Sequence, residues 1–303
     1  MTPVLVLGGS GMVGSMVVDV LAREPELAVT ATVRSARMAT WGRERLPSVR
    51  WEVFEAAEEL HSIIHNHAWV INAIGITKPY IRDDNPAEVE RAIAINALFP
   101  HRVTRTAAEG GARVLHIATD CAYSGTRGRY TEADPHDALD VYGKTKSLGE
   151  SGAANFHNLR CSVVGPEPNR RTFLLEWFRG QPSGGRVVGY TNHRWNGVTT
   201  LQFARICAGI VVGSLALPRL QHLVPADCVT KAELLEAFAE ACKRQDVVID
   251  RQEAPMTVDR TLDTLDADMN RRLWRAAGYP EAPTVREMAV EMARHDFRLG
   301  LRV

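Results

Sequence analysis

Apolar and polar positions along the first half of the chain follow two alternating periods. VLVLG over 4–8 is a short apolar run ending in glycines, after which Val13, Met16, Val17, Val20 and Leu21 recur at helical spacing. Strand patterns follow at AVTATVR (28–34), VRWEVF (49–54), WVINAIG (69–75), ARVLHIATD (112–120) and LRCSVVGP (159–166). A long helix over 86–110, opened by Asn85 and Pro86, separates the fourth strand from the fifth, and a helix over 141–155 leads to the sixth. This alternation predicts an α/β fold, a Rossmann-type doubly wound parallel sheet over residues 1–165. Beyond Pro166 the elements shorten and Arg, Trp and Pro become more frequent. Helical patterns sit near 171–180, 199–212, 230–242 and 284–295, and strand patterns near 186–189, 221–224 and 246–250. Residues 166–303 are read as a smaller C-terminal α/β substrate lobe, some of whose elements return to the first domain. Trp177 and Phe178, in a helical run there, are expected in the core or at an interface.

Composition narrows the class. The 303 residues are 45% hydrophobic and carry 36 basic and 36 acidic side chains, so the formal net charge is zero. Such a balance gives no electrostatic reason to expect nucleic acid or an anionic membrane as partner. The five cysteines are scattered and never in a C-x-x-C pair, the pattern of reduced thiols. The N-terminus enters a strand directly, with no signal-peptide pattern, and the apolar stretch near 207–217 is too short for a membrane span. A cytoplasmic protein is expected.

Gly8-Gly9-Ser10-Gly11-Met12-Val13-Gly14 follows a strand and opens a helix, the context in which glycines cradle a dinucleotide. Gly8 serves the tight turn, Gly11 the approach of the pyrophosphate, and Gly14 the packing of helix on strand. Ser10, Met12 and Val13 supply the backbone N–H groups around them. A carboxylate at the end of the second strand would select NAD, yet the chain reads Val33-Arg34-Ser35-Ala36-Arg37. Guanidinium groups suit the extra 2′-phosphate, so Arg34 and Arg37 point to NADP(H).

Tyr142-Gly143-Lys144-Thr145-Lys146 places a phenol and an ammonium four residues apart, on one helical face. The ammonium and a positive nicotinamide ring would favour the phenolate, bringing the phenol towards a useful range for proton transfer. Thr119 ends the fifth strand at the carboxyl edge of the sheet, where its hydroxyl can help polarise a carbonyl. Asn72, Ala73 and Gly75 bring a small, closely approaching backbone to the end of the fourth strand.

GGSGMVG, NAIG, the helical Asn96, ATDCAYSG, YTEADP and VYGKTKSLGE together resemble the extended short-chain dehydrogenase/reductase family. Within it the chain is similar to dTDP-4-dehydrorhamnose reductases and related nucleotide-sugar 4-ketoreductases, over residues 1 to about 165. The resemblance implies Thr119, Tyr142 and Lys146 as the catalytic triad, with Tyr142 and Lys146 also contacting the cofactor. It adds Asn96 to the cofactor set, and Asp120 and Cys121 to the substrate contacts. It further implies hydride delivery from NADPH to C4 of a 4-keto-6-deoxy nucleotide sugar, with a homodimer as the usual assembly. Dehydratases of the family carry an Asp-Glu pair after the threonine; here Asp120 is followed by Cys121, which argues against dehydration.

In the lobe, a diphosphate and a pyrimidine call for arginine and an aromatic or apolar slot. Arg170, in NRR, and Asn196, in NHRWN, are the candidates. Asp259-Arg260-Thr261-Leu262-Asp263 loosely resembles a late segment that folds back on the nucleotide. His61, His65 and His67 lack a nearby carboxylate or cysteine, and no metal is expected. Two other readings stay open: a 4-epimerase with tightly bound NAD(P), and a catalytically silent NADP(H)-binding regulatory subunit.

Overall fold

The computed structural model describes residues 1–54, 60–168 and 171–300. The first half runs β1 (Thr2–Leu7), α1 (Met12–Leu21), β2 (Leu27–Val33), α2 (Ala36–Arg45), β3 (Arg50–Val53), α3 (Leu60–Ile64) and β4 (Trp69–Asn72). It continues through α4 (Pro86–Ala92), a π-helical turn (Ile93–Leu98), α5 (Phe99–Glu109), β5 (Arg113–Ala118), α6 (Val141–Leu148) and β6 (Phe156–Arg160). Next come β7 (Val163–Val164), α7 (Leu174–Arg179), β8 (Arg186–Tyr190), β9 (His193–Trp195), β10 (Val198–Thr199) and α8 (Thr200–Val212). The chain closes with β11 (Leu220–His222), β12 (Val229–Thr230), α9 (Lys231–Ala241), β13 (Val248–Gln252), β14 (Val258–Asp259), α10 (Ala267–Ala276) and α11 (Val285–Arg294).

Seven parallel strands form the main sheet in the order β11-β6-β5-β4-β1-β2-β3. Chain progression reverses between β1 and β4, and such a switch point opens a crevice at the carboxyl ends of the strands. The fold is therefore the doubly wound Rossmann type that the alternation predicts. Residues Val4 to Leu7 and Val70 to Ile71 are fully buried, as expected of central strands covered on both faces. α8 packs against α1, and β11, from late in the chain, completes the sheet beside β6. Phe178 is fully buried, whereas Trp177 is 39% exposed.

Polarity hid one strand. The sixth begins at Phe156, earlier than the expected 159, and breaks after Arg160. All five residues of FHNLR are buried, and each polar one has internal partners. His157 hydrogen-bonds the Pro218 carbonyl and Asn158 the Ser151 and Arg219 carbonyls. Arg160 bonds Tyr123, His136, His222 and, in a short contact, Glu150. The expected helix over 141–155 stops at Leu148, with Gly149 as its C-cap. The long helix over 86–110 forms, with the π turn inside it. α2 and α10, both rich in arginine, went unforeseen.

A buried charge ties the end of the chain to the first helix. Asp19, fully buried on α1, accepts from His295 and Arg298 at 2.8 Å each and from Arg23 at 3.2 Å. Burial alone would raise its carboxyl pKa, but these donors hold it below the ordinary value.

Candidate active site

The glycine loop is pinned before it can meet any ligand: the Gly8 N–H donates to Thr32 Oγ1 at 3.0 Å and the Gly9 N–H to the Thr32 carbonyl at 2.8 Å. α1 then starts just after Gly11, whose lack of a side chain leaves the first-turn amides without a side-chain cap. A Cβ on Gly14 would come within 2.2 Å of the Gly8 carbonyl oxygen, so only glycine allows helix and loop to pack this closely. Gly8, Ser10, Gly11, Met12, Val13, Ala73 and Gly75 line a cleft of about 680 Å³ that extends to Arg34. Arg34 is exposed and makes no hydrogen bond or ion pair among the described residues. An uncapped helix start with an unpaired guanidinium at the far end fits a dinucleotide bearing a 2′-phosphate. Arg37 is exposed in the first turn of α2 and does not line the cleft.

A second cavity of about 330 Å³ adjoins this cleft, sharing Met12, Val13, Ala73, Ile74, Gly75, Ile76, Thr77 and Phe173 with it. Thr119, Asp120, Cys121, Tyr142 and Lys146 all line it. What brings Tyr142 there is Gly143. A Cβ at this position would sit 2.2 Å from the Cys121 carbonyl oxygen, so its absence lets α6 lie directly on the turn that follows Thr119. Asp140 caps α6 by accepting from the Gly143 N–H at 2.7 Å and pairs with Lys78 at 2.7 Å.

Burial dominates the electrostatics of the cavity. Burial, followed by the neighbouring Cys121, pushes the Tyr142 phenol up, and a hydrogen bond with Thr119 only partly offsets this. Lys146 does not pair with the phenol; its Nζ donates to the Ile117 carbonyl at 2.8 Å and lies 3.3 Å from His116 Nε2. Burial lowers the Lys146 ammonium to about 8. Tyr142 thus stands as a protonated phenol at neutral pH, the form that can give a proton. Burial raises Asp120, with Arg260 and Lys231 opposing it, and raises Cys121 to about 12. A thiol held protonated cannot replace the second carboxyl of a dehydratase.

Two of the candidate asparagines, Asn96 and Asn196, act as clamps. Asn96, on the π turn, accepts from the Ile76 N–H at 2.8 Å and donates to the Ile76 carbonyl at 2.9 Å, fixing the loop after β4. Asn196 does the same for Leu262, donating at 2.7 Å and accepting at 2.9 Å. Its amide is therefore taken up by the C-terminal segment. Asn72 lines the cavity but turns its side chain to Ile74 and His116. Arg170 lies outside the described residues. The 259–263 segment folds back on the loop after β5: Arg260 donates to the Tyr123 carbonyl at 2.9 Å, the Tyr130 N–H donates to the Thr261 carbonyl at 2.9 Å, and the Asp263 N–H to the Tyr130 carbonyl at 2.8 Å. Glu132, in YTEADP, accepts from His222, Thr264 and Leu265, so that motif clamps the same segment. His61 and His65 stack at 5.4 Å, and among the described residues no three potential ligands cluster for a metal.

On the lobe side of the cavity, the sequence pointed to Trp195, in NHRWN, and not to Phe173, Lys231 or Leu234. Phe173, Trp195, Lys231 and Leu234 line it. Lys231 is the first residue of α9, behind a Thr230–Glu233 capping box, and its Nζ lies 5.6 Å from the Trp195 ring centroid. It makes no hydrogen bond or ion pair among the described residues. T-x-x-E announces the helix start, but nothing local announces that the lysine beside it reaches a cavity.

A family profile described as the RmlD substrate binding domain matches residues 1–295. The chain belongs to that family. It is 33% identical over 147 residues to a dTDP-4-dehydrorhamnose reductase of Streptomyces griseus, covering 48% of this chain and 43% of the relative. It is 27% identical over 164 residues to methionine adenosyltransferase 2 subunit beta of Rattus norvegicus, covering 53% and 45%. The chain thus spans under half the length of these curated relatives. Among solved structures, a dTDP-4-dehydrorhamnose reductase from Bacillus anthracis, in complex with NADP, superposes with a TM-score of 0.70 at 15% identity, over 96% of this chain and 99% of that one. At that identity the likeness is one of fold.

Proposed function

We propose that this protein is an NADPH-dependent reductase of the 4-keto group of a nucleotide-activated 4-keto-6-deoxyhexose, dTDP- or UDP-linked. One observation carries the reading: the cavity holding Thr119, Tyr142 and Lys146 opens into the glycine-loop cleft that ends at the unpaired Arg34. The names of the reductase relatives support the substrate class. Residues of the glycine loop and Arg34 would hold NADPH, which when bound supplies a hydride. Thr119 and Tyr142 hold the substrate carbonyl by hydrogen bonds. As C4 gains the hydride, the C=O pair moves to oxygen, and Tyr142 gives that oxygen its phenolic proton. The apolar wall of Phe173, Leu174, Trp195 and Leu234 keeps water from the reacting atoms and offers a surface for a sugar methyl group. The family resemblance adds a homodimer to this reading, and the absence of a signal-peptide pattern a cytoplasmic location.

The test is consumption of NADPH, with NADH in parallel, across a panel of 4-keto-6-deoxy nucleotide sugars. Turnover of one member with preference for NADPH supports the reading, and no turnover despite NADPH binding would overturn it. The likeness to a relative named as a subunit of another enzyme favours a second reading, a catalytically silent subunit. An intact triad argues against it, and the same panel separates the two.

A further inference from the structure

Behind Lys146 lies a buried polar chain whose proton positions can be worked out from its hydrogen bonds. Asn72 on β4 and His116 on β5 are register partners in adjacent strands, each 1% exposed. The Asn72 Oδ1 accepts from the Ile74 N–H at 3.2 Å. That bond fixes the amide, so its Nδ2 is the atom that lies 3.1 Å from His116 Nδ1. An amide nitrogen donates and does not accept, so Nδ1 must be the bare, accepting nitrogen of the ring. Burial keeps the imidazole neutral, with the Lys146 charge as a further cause, and a neutral ring carries one proton. That proton is on Nε2, which faces Lys146 Nζ at 3.3 Å.

Two donors then meet whenever Lys146 is an ammonium, whereas a neutral amine would offer its lone pair to the Nε2–H. The other titratable groups around the lysine are Tyr142 on its own helix, Glu150 just beyond that helix, His101 on α5, and Asp120 and Cys121 in the turn after β5. Of these, Glu150 favours the ammonium, but its carboxylate is bonded to Arg160. The Ile117 carbonyl is the acceptor that holds the lysine in place.

We propose that Asn72 and His116 are positioning residues that make the Lys146 proton labile: Asn72 fixes the His116 tautomer, and the Nε2–H of His116 opposes the Lys146 ammonium. On the reductase reading, this labile proton is the source from which the Tyr142 phenolate is restored after each turnover, leaving Lys146 as an amine until it takes a proton from solvent. Burial by itself lowers the Lys146 ammonium to about 8.

The tautomer is read directly by long-range proton–nitrogen NMR on protein labelled at histidine nitrogen, with His116→Phe assigning the signal. The expected result is an Nε2–H ring that stays neutral through the acid range in which the protein is folded. An Nδ1–H ring would overturn the proposal. The lysine is read by carbon NMR titration of its Cε, among only five lysines in the chain. In His116→Phe the Lys146 midpoint should rise by about one pH unit, a tenfold change in the equilibrium. Asn72→Asp should also raise it, because a carboxylate would draw the proton to Nδ1 and turn Nε2 into an acceptor. An unmoved midpoint in both variants would overturn the proposal. Neither measurement needs a keto sugar, so each stands if the reductase reading fails. Where turnover is measurable, its alkaline limb should move up with the lysine midpoint; a fixed limb would refute the role in turnover.

Discussion

The two walls of the site are built by different rules. On the cofactor side, the glycine loop, β1, β2 and α1 are neighbours in sequence, and backbone sterics demand particular residues. No other side chain fits where a Cβ would lie 2.2 Å from a carbonyl oxygen, as at Gly14. On the lobe side, Phe173 at the start of α7, Trp195 on β9, and Lys231 and Leu234 on α9 come from three elements far apart in the chain and are brought together by tertiary packing. A wall of the first kind leaves a motif; a wall of the second kind leaves residues that read as ordinary helix and strand. Tyr142 and Thr119 stand where the walls meet.

Breaking the seam should have the largest effect. Tyr142→Phe removes the proton donor and should lower turnover by about 10³-fold, within the usual range for general acid catalysis, while the Kd for NADPH is unchanged. Comparable loss of NADPH binding would place Tyr142 in the cradle rather than at the chemistry. Next is the tie that closes the chain back onto the cofactor side. Asp19→Asn leaves His295 and Arg298 without their buried counter-charge and should cost about 3 kcal/mol in urea unfolding. The folded-state pKa of Asp19 is depressed, so its contribution is present above the ordinary carboxylate value and lost as pH falls through the folded value. Stability of the wild type should therefore drop on acidification below about pH 4, and the Asn variant should lack that part of the drop.

Smaller changes separate the walls. Arg34→Ala should weaken NADPH by about 30-fold and leave NADH unaffected, since charge-assisted hydrogen bonds are worth about 1.5–3 kcal/mol. Equal losses for both cofactors would remove the 2′-phosphate from its role. Lys231→Ala should raise the KM for the sugar by about tenfold with no change in NADPH affinity, which marks the lobe wall as a substrate surface. A change confined to NADPH affinity would assign the lysine to the other wall.

The same contrast governs what could be read from the chain. GGSGMVG and YGKTK were legible because close approach at Gly14 and Gly143 restricts the residue type. β6 was placed late because each polar side chain of FHNLR finds a partner inside the protein, which periodicity does not reveal. Asn96 and Asn196 each clamp a backbone segment, a role that depends on which loop lies opposite and leaves no local signal. Lys231 gave no signal, since a lysine at the start of a capped helix is commonplace. The Tyr142–Lys146 spacing shows which helical face the two groups share, and not that the lysine takes Ile117 and His116 as its partners.

The most direct test of the account follows the hydride. Purified protein is given NADPH deuterated at the transferable position together with the sugar that it turns over, and the product is analysed by NMR. One deuterium at C4 of the sugar, with stoichiometric NADP formed, is the predicted result. Product without deuterium at C4, or formed without net loss of NADPH, would contradict the account and point to an epimerase that retains its cofactor.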